Sequence, residues 1–201
     1  MIHRFIPFFA SLLLLAGCAR DPRYSSETLY LTDQGGVVSI RDHSMDHFDN
    51  ISYWDGDGVQ GPPYILIRLS EQKAYFYKGN QLVGVSAIST GREGYDTPTG
   101  KFRIIQKSKD HVSSLYGDYV DAKTGEVVMK DVDTRIHKRP PGTVYKGAKM
   151  PYFMRIVGGT GMHAGFLPGY PASHGCIRMP ERMAEIFFNN VDLKTPVEIV
   201  P

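Results

Sequence analysis

Short apolar runs separated by glycine- and proline-containing turns constrain the fold of this chain more than any other feature. The first run covers residues 64–67, and the runs 74–77 and 81–89 flank a turn at 78–80. Each run has the length and composition of a β-strand. Glycine (21) and proline (13) are frequent among the 201 residues, which favours many turns over a helical bundle. The sequence therefore predicts a mainly β fold.

The second half of the chain continues this pattern and adds one helix. The turn Thr-Pro-Thr-Gly at 97–100 is rigid, because proline fixes its own φ and glycine frees the chain to enter the next strand. Further strands are expected at 101–106, 152–157 and 195–200. A helix is expected to begin at Pro180, with Glu181 favourable near its N-terminus. Its inner face is predicted to carry Met183, Ile186, Phe187 and Asn190.

The charge distribution gives no indication of nucleic-acid binding and is compatible with an acidic substrate. A net charge of +2 gives no nucleic-acid signal. Residues 107–150 are polar, basic and rich in glycine, proline and aspartate, and they resemble an insertion with short extended pieces at 127–129 and 143–149. Such a region fits a lid or wall over a substrate groove, and equally a solvated loop without a substrate role. Its basic side chains could attract a carboxylate-rich substrate.

The stretch Ser-His-Gly-Cys-Ile-Arg at 173–178 carries the chemistry. Cys176 is one of only two cysteines, His174 stands two residues before it, and His163 lies upstream. This is the inventory for a thiolate nucleophile with an imidazole base that lowers the thiol pKa by ion pairing. Gly175 lets the backbone turn tightly, so that adjacent N–H groups could point at one oxyanion.

Two plainer interpretations of the same residues stay open. A lone cysteine is often a buried small apolar residue, although polar and small residues surround this one. Alternatively, His163, His174 and Cys176 could hold zinc. A glycine turn fits an oxyanion site better than a metal site, and no acidic catalytic partner is evident in the sequence. No metal and no cofactor is therefore predicted.

The block from His163 to Arg178, together with the turn at 97–100, closely resembles the active-site motif of the L,D-transpeptidase (YkuD-like) family. These bacterial cysteine enzymes remodel peptidoglycan. The resemblance covers about residues 61–201. It implies a β-sandwich or barrel-like domain with a short helix after the cysteine loop. The thirteen positions from His163 to Cys176 are fewer than is usual in the family, so the loop over the thiol is trimmed.

The resemblance also implies roles for the site residues. Cys176 would be the nucleophile, and His163 the general base, oriented through the backbone carbonyl of Ala164. The backbone of residues 174–176 would supply oxyanion donors, and the side chain of His174 could shape the pocket. Arg178 could bind a substrate carboxylate, with a structural salt bridge as the alternative. The predicted substrate-binding residues are Arg178, Ser173, Ala164, Tyr152 and Phe166.

The implied reaction begins with attack of the thiol on the third residue of a peptidoglycan tetrapeptide stem. The terminal D-alanine leaves, and a thioester remains. An amine of a neighbouring stem would resolve it as a 3–3 cross-link. Water would instead give a carboxypeptidase, and a protein amine would give a lipoprotein-attaching enzyme. A catalytically dead wall-binding module is a further alternative, which the intact histidine and cysteine argue against.

The N-terminal part reads as a leader and a tether. Residues 1–17 resemble a lipoprotein signal peptide whose apolar run is too short for a stable transmembrane anchor, and Cys18 ends a lipobox-like Leu-Ala-Gly-Cys. Lipidation of Cys18 would attach a monomer to the membrane, by analogy the outer membrane facing the periplasm because Ala19 follows. An ordinary signal peptide or a short uncleaved anchor is the alternative.

Residues 18–60 are predicted to be a tether before the catalytic domain at 61–201. This segment has three arginines against eight acidic side chains. His43 and His47 could share a helix face and bind metal, although a solvated acidic linker explains them as well. Trp54, the only tryptophan, is expected to pack this segment onto the domain.

Overall fold

The structure is a computed structural model that describes residues 49–201. It contains one helix among these residues and is otherwise built from strands, which confirms the mainly β prediction. The strands are β1 Tyr53–Trp54, β2 Pro63–Arg68, β3 Lys73–Lys78, β4 Gln81–Ala87, β5 Gly100–Arg103, β6 Gln106–Asp121, β7 Val127–Asp133, β8 Thr143–Val157, β9 Thr160–Ala164, β10 Ile177–Met179 and β11 Pro196–Val200. The helix α1 is Glu181–Asn190.

The first sheet has the order β1-β4-β3-β2-β11-β5. Strands β2, β3 and β4 form the antiparallel meander that the apolar runs predict. The last strand, β11, lies between β2, to which it is parallel, and β5, to which it is antiparallel. Strand β11 is therefore an interior strand of this sheet, next to the edge strand β5.

The second sheet has the order β10-β9-β8-β6-β7. Strand β10 is parallel to β9, with Arg178 opposite His163. Two residues fifteen positions apart in the sequence thus become neighbours in the sheet. The segment between them is the loop that carries Cys176, so this strand pairing fixes both ends of the catalytic motif.

Residues 107–150 are more regular than the sequence suggests. Strands β6 and β8 have 16 and 15 residues and pair along most of their length, with β7 on the outer edge. The close approach of β6 and β8 needs glycine, since a Cβ on Gly117 would collide with the carbonyl oxygen of Lys146. Strand β6 and the first half of β8 contain few buried residues, so the backbone hydrogen bonds between the strands stabilise this part, and such bonds leave no apolar run in the sequence.

One apolar core joins both sheets and α1. The helix buries Met183, Ala184 and Phe187, and Ile186 packs against the core while partly buried. Ala184 is an addition to the inner face that the sequence predicted, and Asn190 is only partly buried. The Phe187 ring lies edge-on to Phe76 with centroids 4.9 Å apart. Within residues 49–201, no helix is long and apolar enough to cross a membrane.

The described part of the chain adds a strand before residue 61. Strand β1 pairs with β4, and the Trp54 ring packs edge-on against Phe76 at 5.2 Å. Gly84 makes room for this indole, because a Cβ there would lie 2.7 Å from a ring carbon. Trp54 thus lies against the core, in a segment that the sequence analysis assigned to the tether.

Candidate active site

The loop between β9 and β10 is held by backbone hydrogen bonds to the segment after β4. Ser89 and Arg178 exchange two such bonds, of 3.0 and 2.9 Å. The amide of Ser173 donates to the carbonyl of Thr90 at 3.0 Å, and the amide of Arg92 donates back to Ser173 at 3.0 Å. Because the loop has almost no regular structure of its own, this neighbouring segment determines where the cysteine lies.

The thiol of Cys176 is buried, with 8% of the residue exposed. Its Sγ lies 3.6 Å from the carbonyl oxygen of Gly159. Burial raises the pKa of the Cys176 thiol, against smaller lowering effects of the Gly161 amide and of the Arg178 and Arg155 guanidiniums. The sequence analysis expected a thiolate at neutral pH. The structure differs, because desolvation outweighs the nearby positive charges and favours the neutral thiol at rest.

His163 is buried and oriented by the chain itself. It is 5% exposed, and its Nδ1 lies 2.8 Å from the carbonyl oxygen of Ala164. A carbonyl oxygen only accepts, so Nδ1 carries the proton and Nε2 keeps its lone pair. Burial lowers the pKa of His163 to about 4. The orientation by Ala164 is the contact that the resemblance implied, and it leaves a neutral imidazole ready to accept a proton.

The ring of Phe153 borders both reactive side chains. Phe153 shares a buried apolar cluster with Cys176, and its ring centroid lies 6.2 Å from that of His163. His111 stacks on Phe153 with centroids 4.2 Å apart and an angle of 16° between the planes. Strand β8 therefore contributes an apolar wall to the site, which the sequence analysis did not identify.

Ser173 and Gly175 form an internal brace within the cysteine loop. The Gly175 amide donates to Ser173 Oγ at 3.1 Å, and that hydroxyl donates to the carbonyl of Cys176. Gly175 has φ +105°, which an L side chain adopts only with strain. Ser173 is 1% exposed and was predicted to bind substrate, but its hydroxyl is used inside the loop. The Gly175 amide, predicted as an oxyanion donor, is likewise engaged.

The amides that remain for an oxyanion are those beside Gly175. Among residues 49–201, neither the His174 amide nor the Cys176 amide has a hydrogen-bond acceptor. Such backbone donors can stabilise a developing negative charge without reorganising. The predicted oxyanion site thus keeps two candidate donors out of the three amides of residues 174–176.

Thr97 connects the turn at 97–100 to the cysteine loop. Its buried hydroxyl donates to the carbonyl of Gly175 at 3.0 Å and accepts from the amide of Gly91 at 2.9 Å. The sequence analysis identified only a rigid turn here. The first threonine of the turn in fact holds the backbone next to the nucleophile.

The other predicted substrate-binding side chains differ in burial and in partners. Arg178 is half-buried, and no carboxylate of residues 49–201 forms an ion pair with it. Tyr152 was predicted to line the groove, but its hydroxyl donates to Glu185 of α1 at 2.8 Å and its ring packs on Phe188. Its side chain is therefore committed to the helix. Phe166 is 56% exposed.

A cavity of about 660 Å³ lies beside the start of the cysteine loop. Its wall includes Ala164 and Phe166 but neither Cys176 nor His163. Ala164 belongs to the apolar core, whereas the preceding His163 side chain points away from it, because neighbouring residues of a strand face opposite sides. This cavity is therefore separate from the reactive groups.

Other sequence predictions concern metal sites and the N-terminus. In the part of the chain from 49 to 201, no three His, Cys, Asp or Glu side chains are grouped so that they could hold a metal ion. Nε2 of His174, one of the three candidate zinc ligands, lies 2.8 Å from the Arg92 guanidinium. Cys18, His43 and His47 lie outside the described residues.

Comparison with known proteins identifies the family. The sequence model of the L,D-transpeptidase catalytic domain matches residues 62–199, which is more than half of the chain. The chain therefore belongs to the L,D-transpeptidase catalytic domain family, as the motif predicted.

Individual relatives agree with this assignment. Probable L,D-transpeptidase 3 of Mycobacterium tuberculosis is 29% identical over 164 residues, which cover 81% of this chain and 51% of the relative. The chain thus matches about half the length of that protein. An L,D-transpeptidase from Mycobacterium smegmatis has a similar fold, with a TM-score of 0.52 at 16% identity over 70% of this chain and 59% of the other. A further L,D-transpeptidase, solved in complex with imipenem, has a TM-score of 0.52 at 19% identity, covering 69% and 58%.

The brace at Thr97 leads to a stability prediction. Thr97→Val should lower the free energy of unfolding by about 2 kcal/mol, because it leaves the buried Gly175 carbonyl and Gly91 amide without partners. Thr97→Ser should lose less, since it keeps the hydroxyl. The matched control is Thr99→Val, an exposed threonine two residues away, which should change the value by less than about 0.5 kcal/mol. Denaturant unfolding measures all three, and equal effects at 97 and 99 would contradict the brace.

The burial of His163 leads to a pH prediction. Its folded pKa of about 4 lies below the ordinary 6.5, so the unfolded chain takes up the proton first. The stabilisation by neutral His163 is complete above about pH 6.5 and is lost as the pH falls towards 4, by about 3 kcal/mol. Unfolding free energies measured across this range should fall less steeply for His163→Gln than for the wild type. Parallel curves would show that His163 does not titrate in this way.

Proposed function

We propose that this protein is a peptidoglycan L,D-transpeptidase with Cys176 as its nucleophile and His163 as its general base. One observation carries the proposal: the hydrogen bond from His163 Nδ1 to the Ala164 carbonyl leaves Nε2 unprotonated, in a site that also holds a buried thiol. Family membership supplies the substrate class, which is a tetrapeptide stem ending in D-alanine.

Acylation proceeds from the neutral pair. As Sγ of Cys176 bonds to the carbonyl carbon of the third stem residue, its proton passes to Nε2 of His163. Negative charge develops on the carbonyl oxygen, and the free amides of His174 and Cys176 are the candidate donors to it. The protonated imidazole then returns the proton to the nitrogen of D-alanine, which leaves as a free amine and gives the thioester.

Deacylation uses the same residues in reverse. An amine of a second stem attacks the thioester carbonyl, and His163 accepts its proton. Collapse of the intermediate breaks the C–S bond and returns a proton to Cys176. The product is a 3–3 cross-link and a regenerated neutral pair. Water in place of the amine gives a trimmed stem, and a protein amine gives an attached protein, so the acceptor alone separates these three outcomes.

The low pKa of His163 fits this sequence of steps. A protonated imidazole in so dry a site is costly on its own, because burial disfavours the charged form. The cost falls when a negative sulfur or oxygen atom lies in the same low-dielectric space. The charge pair therefore forms during the reaction and not at rest. This accounts for a buried base and a buried acid that are both neutral in the free protein.

Arg178 is the proposed carboxylate-binding residue. It lies opposite His163 across the β9–β10 pair, and no described carboxylate neutralises it. Its aliphatic stem passes the backbone of Gly165, where a Cβ would lie 3.2 Å from its Cγ. A guanidinium whose aliphatic side chain is held in this way can bind a carboxylate of the peptidoglycan peptide through two parallel hydrogen bonds.

The proposed reaction predicts a covalent adduct on Cys176. Incubation of the mature protein with a carbapenem should add one molecule per chain, seen by mass spectrometry, and Cys176→Ala should remain unmodified. His163→Ala should slow adduct formation by about 10²–10⁴-fold, the usual contribution of a general base. Arg182→Ala, an exposed change on α1, serves as control and should react like the wild type.

Peptide products distinguish the acceptor. With purified disaccharide tetrapeptide, a cross-linked dimer that has lost one D-alanine supports transpeptidation, whereas a tripeptide alone identifies a carboxypeptidase. Absence of both products and of the carbapenem adduct would overturn the proposed function.

The cellular location is part of the proposal and rests on the leader. Lipidation at Cys18 predicts that the mature protein partitions into the detergent phase of a two-phase separation. Cys18→Ser should move it to the aqueous phase or leave the leader uncut, because a thioether-linked lipid requires the thiol. Cys176→Ser is the matched control and should partition like the wild type. Aqueous partitioning of the unmodified protein would contradict lipidation.

A further inference from the structure

The imidazole of His174 is enclosed by side chains from two other segments. From the segment before β5, Arg92 Nη2 lies 2.8 Å from Nε2 of His174. The Tyr95 ring of the same segment packs edge-on, with ring centroids 4.7 Å apart and an angle of 81° between the planes. From β6, the ring of Tyr116 stacks on the imidazole with centroids 4.6 Å apart at 23°. Three unrelated side chains therefore fix both the plane of this ring and one of its nitrogens.

Tyr116 is itself held from the end of β7. Arg135 donates through Nη2 to the Tyr116 hydroxyl oxygen at 2.7 Å. The same guanidinium forms an ion pair of 2.6 Å with Asp133, whose side chain is 5% exposed. Hydrogen bonds from Arg135 lower the pKa of Asp133 to about 2, so the pair stays charged throughout the neutral range. The stacking partner of His174 is thus anchored by a persistent ion pair.

The Arg92 contact determines the tautomer of His174. A guanidinium has five N–H donors and no acceptor, and it does not lose its proton in proteins. Nε2 of His174 must therefore accept from Arg92 through its lone pair. The neutral ring then carries its proton on Nδ1, which is the tautomer that an Nε2 acceptor requires.

We propose that Arg92 is a positioning residue for the reaction. It holds His174 neutral in the Nδ1–H form against Tyr116, so that His174 cannot take the proton of Cys176 through Nε2 and His163 remains the only base. This role rests on the proposed function, because it assigns which histidine serves the thiol. The sequence motif alone left the roles of the two histidines exchangeable.

The charges around His174 support a neutral ring. Burial and then the Arg92 charge lower the pKa of His174, and Arg178 of β10 acts in the same direction. Asp131 and Asp133 of β7 oppose them. The side chains that contact the ring are Arg92, Tyr95 and Tyr116, and the charges that act on it from further away are Asp131, Asp133 and Arg178. Removing the Arg92 charge leaves the two aspartates opposed only by burial and Arg178, so protonation becomes easier.

The tautomer can be measured directly. In the mature protein labelled with ¹⁵N-histidine, the ring signals of His174, assigned with His174→Gln, should show protonated Nδ1 and unprotonated Nε2. Arg92→Met should give a mixture of tautomers and a higher pKa, because the donor and the charge are both gone. Arg92→Lys retains a donor and a charge and should restore most of the wild-type pattern. A protonated Nε2 in the wild type would overturn the proposal without any Arg92 variant.

The pH dependence of acylation tests the functional consequence. With a carbapenem as probe and His163→Ala as background, the added change Arg92→Met should give an acylation rate that rises from acidic to neutral pH, because the freed Nε2 of His174 can accept the thiol proton only while the ring is neutral. If the pKa of His174 returns to about 6.5, its neutral fraction at about pH 5.5 is roughly tenfold lower than at about pH 7.5. The ratio of the rate at about pH 5.5 to the rate at about pH 7.5 should therefore fall by up to about tenfold relative to His163→Ala alone, and adding Arg182→Met instead should leave it unchanged.

The outcomes separate this inference from the proposed function. No adduct with the wild type would reject the proposed function, while the ¹⁵N spectra would still decide the tautomer. Normal acylation together with an unchanged tautomer and pH profile in Arg92→Met would reject the positioning role and leave the proposed function intact. A uniform loss of rate at every pH would also reject it, since general damage to the loop does not move a titration.

Discussion

The hydrogen bond between His163 and the carbonyl of Ala164 is the interaction on which the site depends. This bond gives the buried imidazole of His163 a hydrogen-bond partner and fixes its orientation. Because Nδ1 carries the proton, Nε2 is the basic atom. Burial lowers the pKa of His163 and raises the pKa of Cys176, so it favours the neutral form of both groups. In the proposed reaction, the low dielectric that disfavours charge at rest strengthens the attraction between the two groups once a proton moves from Cys176 to His163. The proposed pair is therefore expected to stay unreactive until a substrate carbonyl arrives.

Such a pair works only if its backbone is placed precisely, and the cysteine loop cannot place itself. Its support comes from the segment after β4, through paired backbone bonds at Ser89 and Thr90 and through the hydroxyl of Thr97. Ser173 adds a brace from within. The parallel pairing of β9 and β10 fixes the two ends of the loop. The sheet and a few buried polar groups thus determine the positions of Cys176 and His163.

Features that depend on local sequence could be predicted, whereas features that depend on tertiary packing could not. Local apolar runs predict the strands β2, β3 and β4. A motif whose residue types suggest thiol chemistry identifies Cys176 and His163 as candidate site residues. The long strand β6 carries no such run, because backbone pairing stabilises it, and β8 shows an apolar run only in its second half, where the sequence predicted a strand at 152–157. The partners of Tyr152 and Ser173 could not be predicted either, because a hydroxyl near a motif finds its partner only through tertiary packing, here in Glu185 and in the Cys176 carbonyl. The neutral thiol also escaped prediction, since burial is a property of the fold.

The region 107–150 shows why a motif alone underdetermines a site of this family. The sequence allowed either a wall over the groove or a solvated loop, and the structure brings Tyr116 from β6 onto the ring of His174. Arg135, paired with Asp133, donates a hydrogen bond to the Tyr116 hydroxyl, and no local sequence pattern predicts this contact. Arg92, in the segment before β5, contacts the same ring through its guanidinium. The state of the second histidine is therefore set by residues outside the Ser-His-Gly-Cys motif. Two chains with identical motifs can differ in how freely that histidine protonates, and the difference is to be sought in the strands that pack on it.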